Sequence, residues 1–327
     1  MLKRKLKTIC IAHSKDVDGV SSATLAKIAT GAESYLVNYD RLIDVLKNID
    51  GKSDVIVCDL GMNDRTINEF INQAERICKE GKFTYIDHHP LSSYSKKRMK
   101  KVGINLVHST NECAGVLTYN HFKKQLPKKA ALIACYAAVT DYLDNKPIAN
   151  ELIGNYDRQL ILLESTMLAY AMAYRDARIS FSKKIINDLE KFKLPHEING
   201  VPKYASKQAD KMNELMKQIP KKGKKMGKFA FMEVENATLG LVANLLVGEF
   251  SVPIAFAYRI NKKTNSIEMS MRGSYNSKYN LGKIIPKIAK NLNGSGGGHS
   301  KAVGLRIPVK NKNKFLKSLK TELERHS

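Results

Sequence analysis

Acidic and histidine side chains in the first 145 residues come directly after apolar segments of strand or helix length. They are His13, Asp16, Asp18, Asp59, Asp87, His88, His89 and Asp141. In an open α/β sheet, ligands bind in the crevice beyond the carboxyl ends of the strands. A single aspartate at such a place is most often a helix N-cap. The same pattern at four element ends predicts one shared site.

Carboxylates that lie together repel one another and raise each other's pKa unless cations neutralise them. The aspartates other than Asp87 carry four negative charges, which match two divalent cations, and His13 and His88 add neutral ligands. Mixed carboxylate and imidazole donors favour Mn²⁺, with Mg²⁺, Fe²⁺ or Co²⁺ as alternatives, and do not suit a thiolate zinc site. Two such cations can lower the pKa of a bound water and clamp phosphoryl oxygens. The pattern therefore predicts a hydrolase.

The first 150 residues alternate between short apolar runs and longer amphipathic stretches, which is typical of parallel β-α units. Five predicted strands lie at Thr8–Ala12, Tyr35–Val37, Val55–Cys58, Phe83–Ile86 and Ile104–Val107. Predicted helices lie at Val20–Thr30, Arg41–Asn48, Asp64–Lys79, Glu112–Lys124 and Lys128–Tyr142. We therefore expect residues 1–150 to form a doubly wound parallel sheet that positions the predicted site.

The rest of the chain is expected to form a helical linker at 151–227 and a smaller α/β domain with a mixed sheet at 228–327. Predicted strands in the last part are Phe229–Val234, Pro253–Ile260, Asn265–Met271 and Ala302–Val309, and predicted helices are Leu239–Val247, Leu281–Asn291 and Lys312–Arg325. The segment NGSGGGHS at 293–300 precedes the last strand. Its glycines could contact phosphate through backbone N–H groups or form only a tight turn. The spacing is not that of a Walker loop.

The composition excludes several classes of protein. With 43% hydrophobic residues in 327, the chain is too apolar for a disordered protein. No apolar run approaches the roughly 20 residues of a membrane span. Five cysteines, an odd number without CxxC spacing, indicate buried thiols in a reducing compartment. We expect a cytoplasmic protein that is not associated with a membrane.

The net charge of +24 lies mainly in the second half of the chain. Residues 151–327 hold 32 basic and 15 acidic side chains, net +17, and Lys183–Lys228 holds 13 lysines, ending in KKGKK at 221–225. Clustered cations are typical of a surface that binds a nucleic-acid backbone. A lysine-rich solvated face of a thermophile-like protein has the same composition. The charge alone leaves both interpretations open.

The motifs together resemble the DHH phosphoesterase superfamily. They are HxxDxDG at 13–19, Asp59 in VCDLG, DHH at 87–89, Asp141 in VTDYLD and GGGH at 296–299. The resemblance covers essentially the whole chain, with a DHH domain first and a DHH-associated domain at about 228–325. Among members with these forms of the motifs are RecJ-like exonucleases, nano-RNases, phosphoadenosine-phosphate phosphatases and cyclic-dinucleotide phosphodiesterases.

The resemblance implies a role for each motif residue. It implies that His13 and Asp16 bind one cation, that Asp18, His88 and Asp141 bind a second, and that Asp59 bridges the two. It also implies that Asp87 orients a ligand imidazole and that His89 faces the substrate phosphate. For substrate binding it implies Arg272 together with Gly296, Gly297, Gly298 and His299. A solvated arginine at a strand end is the simpler interpretation of Arg272.

The expected function is hydrolysis of short single-stranded RNA or DNA from an end, with two divalent cations, Mn²⁺ favoured, and with oligoribonucleotides as the favoured substrates. The absence of an obvious further nucleic-acid-binding module favours short substrates. An alternative is a phosphoadenosine-phosphate phosphatase or a cyclic-dinucleotide phosphodiesterase, which the basic excess disfavours mildly. A non-enzymatic alternative is a RecJ-like scaffold of a replication assembly. We expect the protein to form a homodimer or to associate with replication proteins.

Overall fold

The computed structural model describes residues 6–62, 66–175, 178–235 and 237–325. Contacts divide the chain into two compact units, residues 1–209 and 210–327, and the division falls within one helix. Each unit contains one sheet and its own hydrophobic cores. No helix in the described part of the chain is both long and apolar enough to cross a membrane.

The first unit contains a five-stranded parallel sheet in the order β2-β1-β3-β4-β5. Its strands are β1 (Thr8–His13), β2 (Glu33–Val37), β3 (Asp54–Cys58), β4 (Phe83–Asp87) and β5 (Asn105–His108). The strand order reverses direction between β1 and β3, and a doubly wound fold forms its ligand crevice at such a switch point. The predicted doubly wound parallel sheet is confirmed.

Helices cover both faces of this sheet. They are α1 (Val17–Thr30), α2 (Leu42–Lys47), α3 (Ile67–Cys78), α4 (Ser93–Lys101), α5 (Ala114–His121), α6 (Ala131–Thr140), α7 (Pro147–Ile153), α8 (Arg158–Tyr174), α9 (Ile179–Leu189) and α10 (Val201–Lys222). One core lies under α1, α5, α6, α8 and α9, and the other lies under α2 and α3. Asp64, the predicted start of a helix, lies outside the described residues, and α3 begins at Ile67.

The segment 151–227, expected as a linker, is mostly helical. Apolar side chains of α8 and α9, such as Leu168 and Ile185, belong to the same core as α1 and α6. Residues 151–209 are therefore packed within the first unit, because α8 and α9 present enough apolar surface to join its core.

The second unit contains a six-stranded sheet in the order β10-β11-β9-β8-β7-β6. The sheet is mixed, as the sequence predicted. Its strands are β6 (Lys224–Met226), β7 (Phe229–Glu233), β8 (Ile254–Asn261), β9 (Ser266–Gly273), β10 (Ser295–Gly298) and β11 (Ala302–Pro308). Its helices are α11 (Leu239–Glu249), α12 (Leu281–Asn291) and α13 (Lys312–Arg325). Two strands were not predicted. The last two lysines of KKGKK, Lys224 and Lys225, lie in the edge strand β6, and the glycines of GGGH lie in the edge strand β10.

Close contact between the end of β1 and the start of α1 requires a glycine at position 19. A Cβ atom there would lie 2.2 Å from the His13 carbonyl oxygen and 2.8 Å from the His13 Cβ. Both neighbours belong to a buried strand end, so they have little room to move. Gly19 therefore fixes how closely the helix that carries Asp16 and Asp18 approaches His13.

Replacing this glycine should destabilise the protein. We expect Gly19→Ala to lower the free energy of unfolding by about 1–3 kcal/mol because the added methyl group overpacks the contact. Gly248→Ala is the matched control, since nothing lies within 4 Å of its added Cβ in α11. That variant should be unchanged or more stable by up to about 1 kcal/mol. Urea unfolding without added metal measures both, and equal stabilities would contradict the assigned contact.

Candidate metal centre

The predicted site residues of the first unit meet at the carboxyl ends of three adjacent strands. His13 ends β1, Asp59 follows β3, and Asp87 ends β4 with His88 and His89 after it. Two helix ends complete the cluster. Asp16 is the N-cap of α1 and Asp18 lies in its first turn, whereas Asp141 is the C-cap of α6.

One group of potential ligands consists of His13, Asp16 and Asp59. His13 Nδ1 lies 2.7 Å from Asp16 Oδ2 and 3.5 Å from Asp59 Oδ2. The Asp16 side chain is 43% exposed, whereas those of His13 and Asp59 are buried. Asp16 also accepts a hydrogen bond from the Gly19 backbone N–H at 3.0 Å through Oδ1, which leaves Oδ2 facing His13.

A second group consists of Asp18, His88 and Asp141. His88 Nε2 lies 3.6 Å from Asp18 Oδ2 and 3.4 Å from Asp141 Oδ2. The same nitrogen lies 3.4 Å from Asp59 Oδ1. Asp59 therefore faces the first group with one oxygen and the second group with the other. A carboxylate in this position would be able to contact a cation in each group.

The backbone of Asp59 is in the left-handed region, with φ of 55°. Few non-glycine residues adopt this conformation, and aspartate is among those that tolerate it best. Tyr142, directly after Asp141, has φ of 58° and is also in this region. Backbone strain of this kind persists only where surrounding structure enforces it. Two such residues at the cluster indicate that the fold holds these carboxylates in fixed positions.

The carboxylate of Asp18, a residue of α1, contacts the N-terminus of α5. Its oxygens accept hydrogen bonds from the backbone N–H groups of Ala114 at 2.9 Å and Gly115 at 2.6 Å. These bonds and the helix dipole favour the charged carboxylate. Burial and the charge of Asp59 act in the opposite direction and raise the pKa of Asp18 to about 7. The N-terminus of α5 thus compensates only part of the repulsion.

The excess of negative charge in the cluster raises the pKa values of its histidines. Burial lowers the pKa of His13, but the neighbouring carboxylates of Asp16 and Asp59 raise it to about 10. Burial likewise lowers the pKa of His88, and Asp59, Asp18 and Asp141 raise it to about 10. Burial and the charge of Asp18 raise the pKa of Asp141 well above its ordinary value. The protein groups alone would need bound protons to stabilise this cluster.

These side chains fit divalent cations. Carboxylates and imidazoles, two of them buried and one partly buried in each group, offer their ligand atoms within 4.8 Å of one another in three groups. Asp59 Oδ2 is buried, and no donor in the described ranges makes a hydrogen bond to it. Cysteine is absent from these groups, so the donors suit Mn²⁺ or Mg²⁺ rather than a thiolate zinc site.

Asp87 contacts the imidazole of His89. Asp87 Oδ1 lies 2.9 Å from His89 Nδ1, and Asp87 Oδ2 accepts hydrogen bonds from the His89 backbone N–H and the Tyr85 hydroxyl. The imidazole that Asp87 orients is therefore the one expected to face the substrate. His89 could also bind a cation, because it forms a potential ligand group with Asp59 and His88.

Tyr39 is a residue of the site that the sequence interpretation missed. Its ring lies 4.7 Å from the His13 ring between centroids, and its hydroxyl lies 3.2 Å from His89 Nε2. Tyr39 comes two residues after β2, which pairs with β1. The strand-end rule would have found it if aromatic residues had been included along with acidic ones and histidines.

The predicted substrate-binding residues lie in the second unit. Arg272 lies near the end of β9 and donates hydrogen bonds to Ser270 Oγ and the Met271 carbonyl, both at 2.9 Å. Its Nη2 occupies the space that a side chain at Gly240 would need. Ala302 pairs with Arg272 across the sheet and accepts a hydrogen bond from the His299 backbone N–H at 2.7 Å. Arg272 therefore lies close to the turn that follows Gly296, Gly297 and Gly298.

Removing one carboxylate should stabilise the metal-free protein. We expect Asp141→Asn to raise the melting temperature in EDTA by about 2–5 °C, because it removes repulsion with Asp18, and to reduce the stabilisation by Mn²⁺. Asp144→Asn is the control, since Asp144 pairs with Arg158 at 3.2 Å and belongs to none of the three groups. Scanning fluorimetry with EDTA or Mn²⁺ measures both effects. A lower melting temperature in EDTA with a full response to Mn²⁺ would refute the prediction.

Cation binding should strengthen as pH rises. Without a cation, the neighbouring carboxylates raise the pKa values of His13 and His88 to about 10, and burial and the charge of Asp59 raise the pKa of Asp18 to about 7. Ligands must lose these protons to bind a cation, so affinity for Mn²⁺ should increase from about pH 6 to about pH 8.5, with release of about one proton or more per cation. Titration calorimetry in buffers of different ionisation enthalpy counts the protons. Constant affinity without proton release would contradict the assigned ligands.

Comparison with protein families supports the interpretation of both units. The chain matches the N-terminal domain of the DHH family over residues 7–140 and the DHHA1 domain over residues 226–325. An uncharacterized protein of Methanocaldococcus jannaschii is 44% identical over 71 residues, which are 20% of this chain and 22% of that protein. The chain thus matches only about a fifth of the length of this relative.

Solved structures share the fold at low sequence identity. The DHH domain of a protein described as a member of a family of ribosomal proteins has a TM-score of 0.74 at 16% identity, over 97% of this chain and 86% of the other. RecJ from Thermus thermophilus with Mn²⁺ has a TM-score of 0.66 at 14% identity, over 98% and 52%. A pGpG-specific phosphodiesterase from Vibrio cholerae has a TM-score of 0.61 at 14% identity, over 98% and 100%. With both domain models matched and the fold shared, the chain belongs to the DHH phosphoesterase superfamily.

Proposed function

We propose that this protein is a metal-dependent phosphodiesterase that hydrolyses short single-stranded oligonucleotides from an end, with oligoribonucleotides as the favoured substrates. The observation that carries the proposal is the position of Asp59. It lies between two groups of ligands, with one oxygen toward His13 and the other toward His88. Two cations held a few ångströms apart in this way are typical of enzymes that displace phosphoryl oxygens.

Residues of the first unit would hold the two cations and contact the substrate phosphate. His13, Asp16 and Asp59 would hold one cation, and Asp18, Asp59, His88 and Asp141 the other. When bound, the two cations would supply an activated water and stabilise the charge that develops on the phosphoryl oxygens. His89, oriented by Asp87, would donate a hydrogen bond to a phosphate oxygen. Mn²⁺ is the favoured cation because the donor set mixes carboxylates with imidazoles.

Residues of the second unit would bind the rest of the substrate. The guanidinium of Arg272 can form two parallel hydrogen bonds to a phosphate group. The backbone of Gly296–Gly298 lies in β10, which β11 separates from the strand of Arg272, and would contact a terminal nucleotide together with the side chain of His299. The positive charge of residues 151–327 favours a polyanion over an uncharged substrate.

One of the solved structures supports a short substrate. This chain aligns over the whole of the pGpG-specific phosphodiesterase of Vibrio cholerae, which is described as specific for a dinucleotide. It aligns over about half of RecJ from Thermus thermophilus and over 90% of another RecJ chain. The same comparison supports the second candidate function, hydrolysis of a dinucleotide or another small nucleotide, which includes phosphoadenosine phosphate and cyclic dinucleotides.

A non-enzymatic scaffold of a replication assembly is the less favoured alternative. Such a role would not require a complete set of ligands, whereas His13, Asp16, Asp18, Asp59, His88 and Asp141 are all present and lie in the three groups. A homodimer and an association with replication proteins remain proposals that gel filtration and co-purification would test.

The proposed function predicts metal-dependent cleavage that depends on the shared carboxylate. With Mn²⁺, the wild-type protein should shorten 5′-labelled RNA of about five nucleotides faster than long RNA or DNA. Asp59→Asn and His88→Ala should each lower the rate by about 10³-fold, because each removes a ligand of the cation pair. His121→Ala is the control, since His121 is exposed and belongs to none of the three groups.

The substrate panel decides between the candidates. It contains RNA and DNA ladders, pGpG, phosphoadenosine phosphate and a cyclic dinucleotide, each with Mn²⁺, Mg²⁺ or Co²⁺. Faster turnover of a small nucleotide than of any oligonucleotide would replace the first candidate by the second. No turnover of any substrate, or wild-type rates in Asp59→Asn, would refute the proposed hydrolysis.

A further inference from the structure

Tyr39 is held next to the ends of β1 and β4 by contacts of the backbone before it. Val37, the last residue of β2, pairs with His13 and accepts a hydrogen bond from the Ser14 backbone N–H at 2.9 Å. The Ser14 hydroxyl donates to Asn38 Oδ1 at 2.9 Å. These contacts tie the end of β2 to the end of β1, so the position of Tyr39 is fixed relative to the cluster.

The tyrosine side chain contacts two of the site imidazoles. Its ring packs against His13 at 4.7 Å between centroids and contacts His89 edge-on at 5.9 Å. Its hydroxyl lies 3.2 Å from His89 Nε2. Tyr39 is nevertheless 44% exposed, so it lies at the open side of the cluster. It is the aromatic residue through which His13 of β1 and His89 after β4 are connected.

Both ring nitrogens of His89 have partners. Nδ1 lies 2.9 Å from Asp87 Oδ1, and Nε2 lies 3.2 Å from the Tyr39 hydroxyl. Because a carboxylate only accepts hydrogen bonds, Nδ1 donates to Asp87, whereas the Tyr39 hydroxyl, which can donate or accept, is the partner of Nε2. The chain Asp87–His89–Tyr39 therefore fixes the orientation of the ring.

The main chain of His89 is fixed independently of Tyr39. Its N–H donates to Asp87 Oδ2 at 3.2 Å, and its carbonyl oxygen lies 2.7 Å from His108 Nε2. The ring lies against Gly61, where an added Cβ would be 2.7 Å from the His89 Cγ. Loss of the Tyr39 hydroxyl should therefore affect the rotation of the ring rather than the path of the chain.

Rotation of this ring matters because His89 can serve in either of two roles. Its Nδ1 lies 4.0 Å from Asp59 Oδ1, and its ligand atom lies within 4.8 Å of those of Asp59 and His88. A cation at Asp59 and His88 could therefore recruit His89 as an additional ligand. A ring that turns to bind this cation would move its Nε2 away from the position of the Tyr39 hydroxyl, so the two roles compete for the orientation of the ring.

We propose that Tyr39 is a positioning residue that keeps His89 out of the metal ligand set and oriented toward the place of the substrate phosphate. In the free protein, the hydroxyl of Tyr39 holds the ring by Nε2. When substrate binds, a phosphate oxygen takes the place of this hydroxyl and accepts a hydrogen bond from the protonated Nε2. The role toward the substrate rests on the proposed phosphodiester hydrolysis, whereas the role toward the cation does not.

Metal binding tests the proposal without any assay of activity. The Co²⁺-loaded protein reports its ligands through its visible absorption spectrum. His89→Ala in the wild-type background should leave this spectrum unchanged, because His89 is not a ligand there. Tyr39→Phe should change the spectrum and tighten cation binding as His89 joins the ligands, and the double variant with His89→Ala should restore the wild-type spectrum. Tyr94→Phe, an exposed tyrosine of α4, is the control and should have no effect.

Two results would overturn the proposal. One is a wild-type Co²⁺ spectrum in Tyr39→Phe, and the other is a spectrum that already changes in His89→Ala alone. Circular dichroism and thermal unfolding of Tyr39→Phe verify that the fold is intact, and if that variant does not fold, Tyr39→Leu, which also removes the hydroxyl and adds no metal ligand, should change the spectrum in the same way. A wild-type spectrum in Tyr39→Leu would count against the proposal.

Kinetics test the role toward the substrate. On the oligonucleotide that the wild-type protein cleaves fastest, Tyr39→Phe should lower kcat about tenfold and change KM less than about twofold, because the lost hydrogen bond orients a group that acts in the transition state. Unchanged kcat, or a rise confined to KM, would refute this role. If the wild-type protein cleaves nothing, the proposed function fails, and the Co²⁺ spectra still decide whether Tyr39 controls His89.

Discussion

Repulsion among buried carboxylates is the constraint on which the site depends. Asp18, Asp59 and Asp141 converge on His88, and Asp16 approaches from the other side of Asp59. A protein without cations can relieve such repulsion only by binding protons, as the raised pKa values of Asp18 and His88 indicate. We therefore expect the cluster to lower the stability of the metal-free fold and to favour the binding of divalent cations.

The fold holds the carboxylates together in spite of this repulsion. Three parallel strands end side by side at the switch point of the sheet, and the N-terminus of α5 contributes two N–H groups to Asp18. Close packing at Gly19 and left-handed backbone at Asp59 leave these residues no easy movement apart. Stability and function are thus opposed in this region, which is common at active sites. Large cores on both faces of the sheet offset the cost.

The sequence predicted the parts of the site that follow from strand geometry. Parallel strands end at one edge, so acidic and histidine residues after β1, β3 and β4 were expected to meet, and they do. It could not predict which imidazole Asp87 contacts, because adjacent residues in a chain do not reveal side-chain direction. Tyr39 carries no distinctive chemistry until its neighbours are known. Glycines have low strand propensity, so β10 was missed, and pairing with β11 stabilises it.

We propose that two cations share the carboxylate of Asp59. Anomalous diffraction at the manganese edge, from crystals of the protein soaked in Mn²⁺, tests it most directly. We expect two peaks, one on each side of the Asp59 carboxylate. His13 and Asp16 should surround the first, and Asp18, His88 and Asp141 the second. His89 should bind neither cation. One peak that does not contact Asp59, or no peak at all at saturating Mn²⁺, would show that Asp59 does not bind two cations.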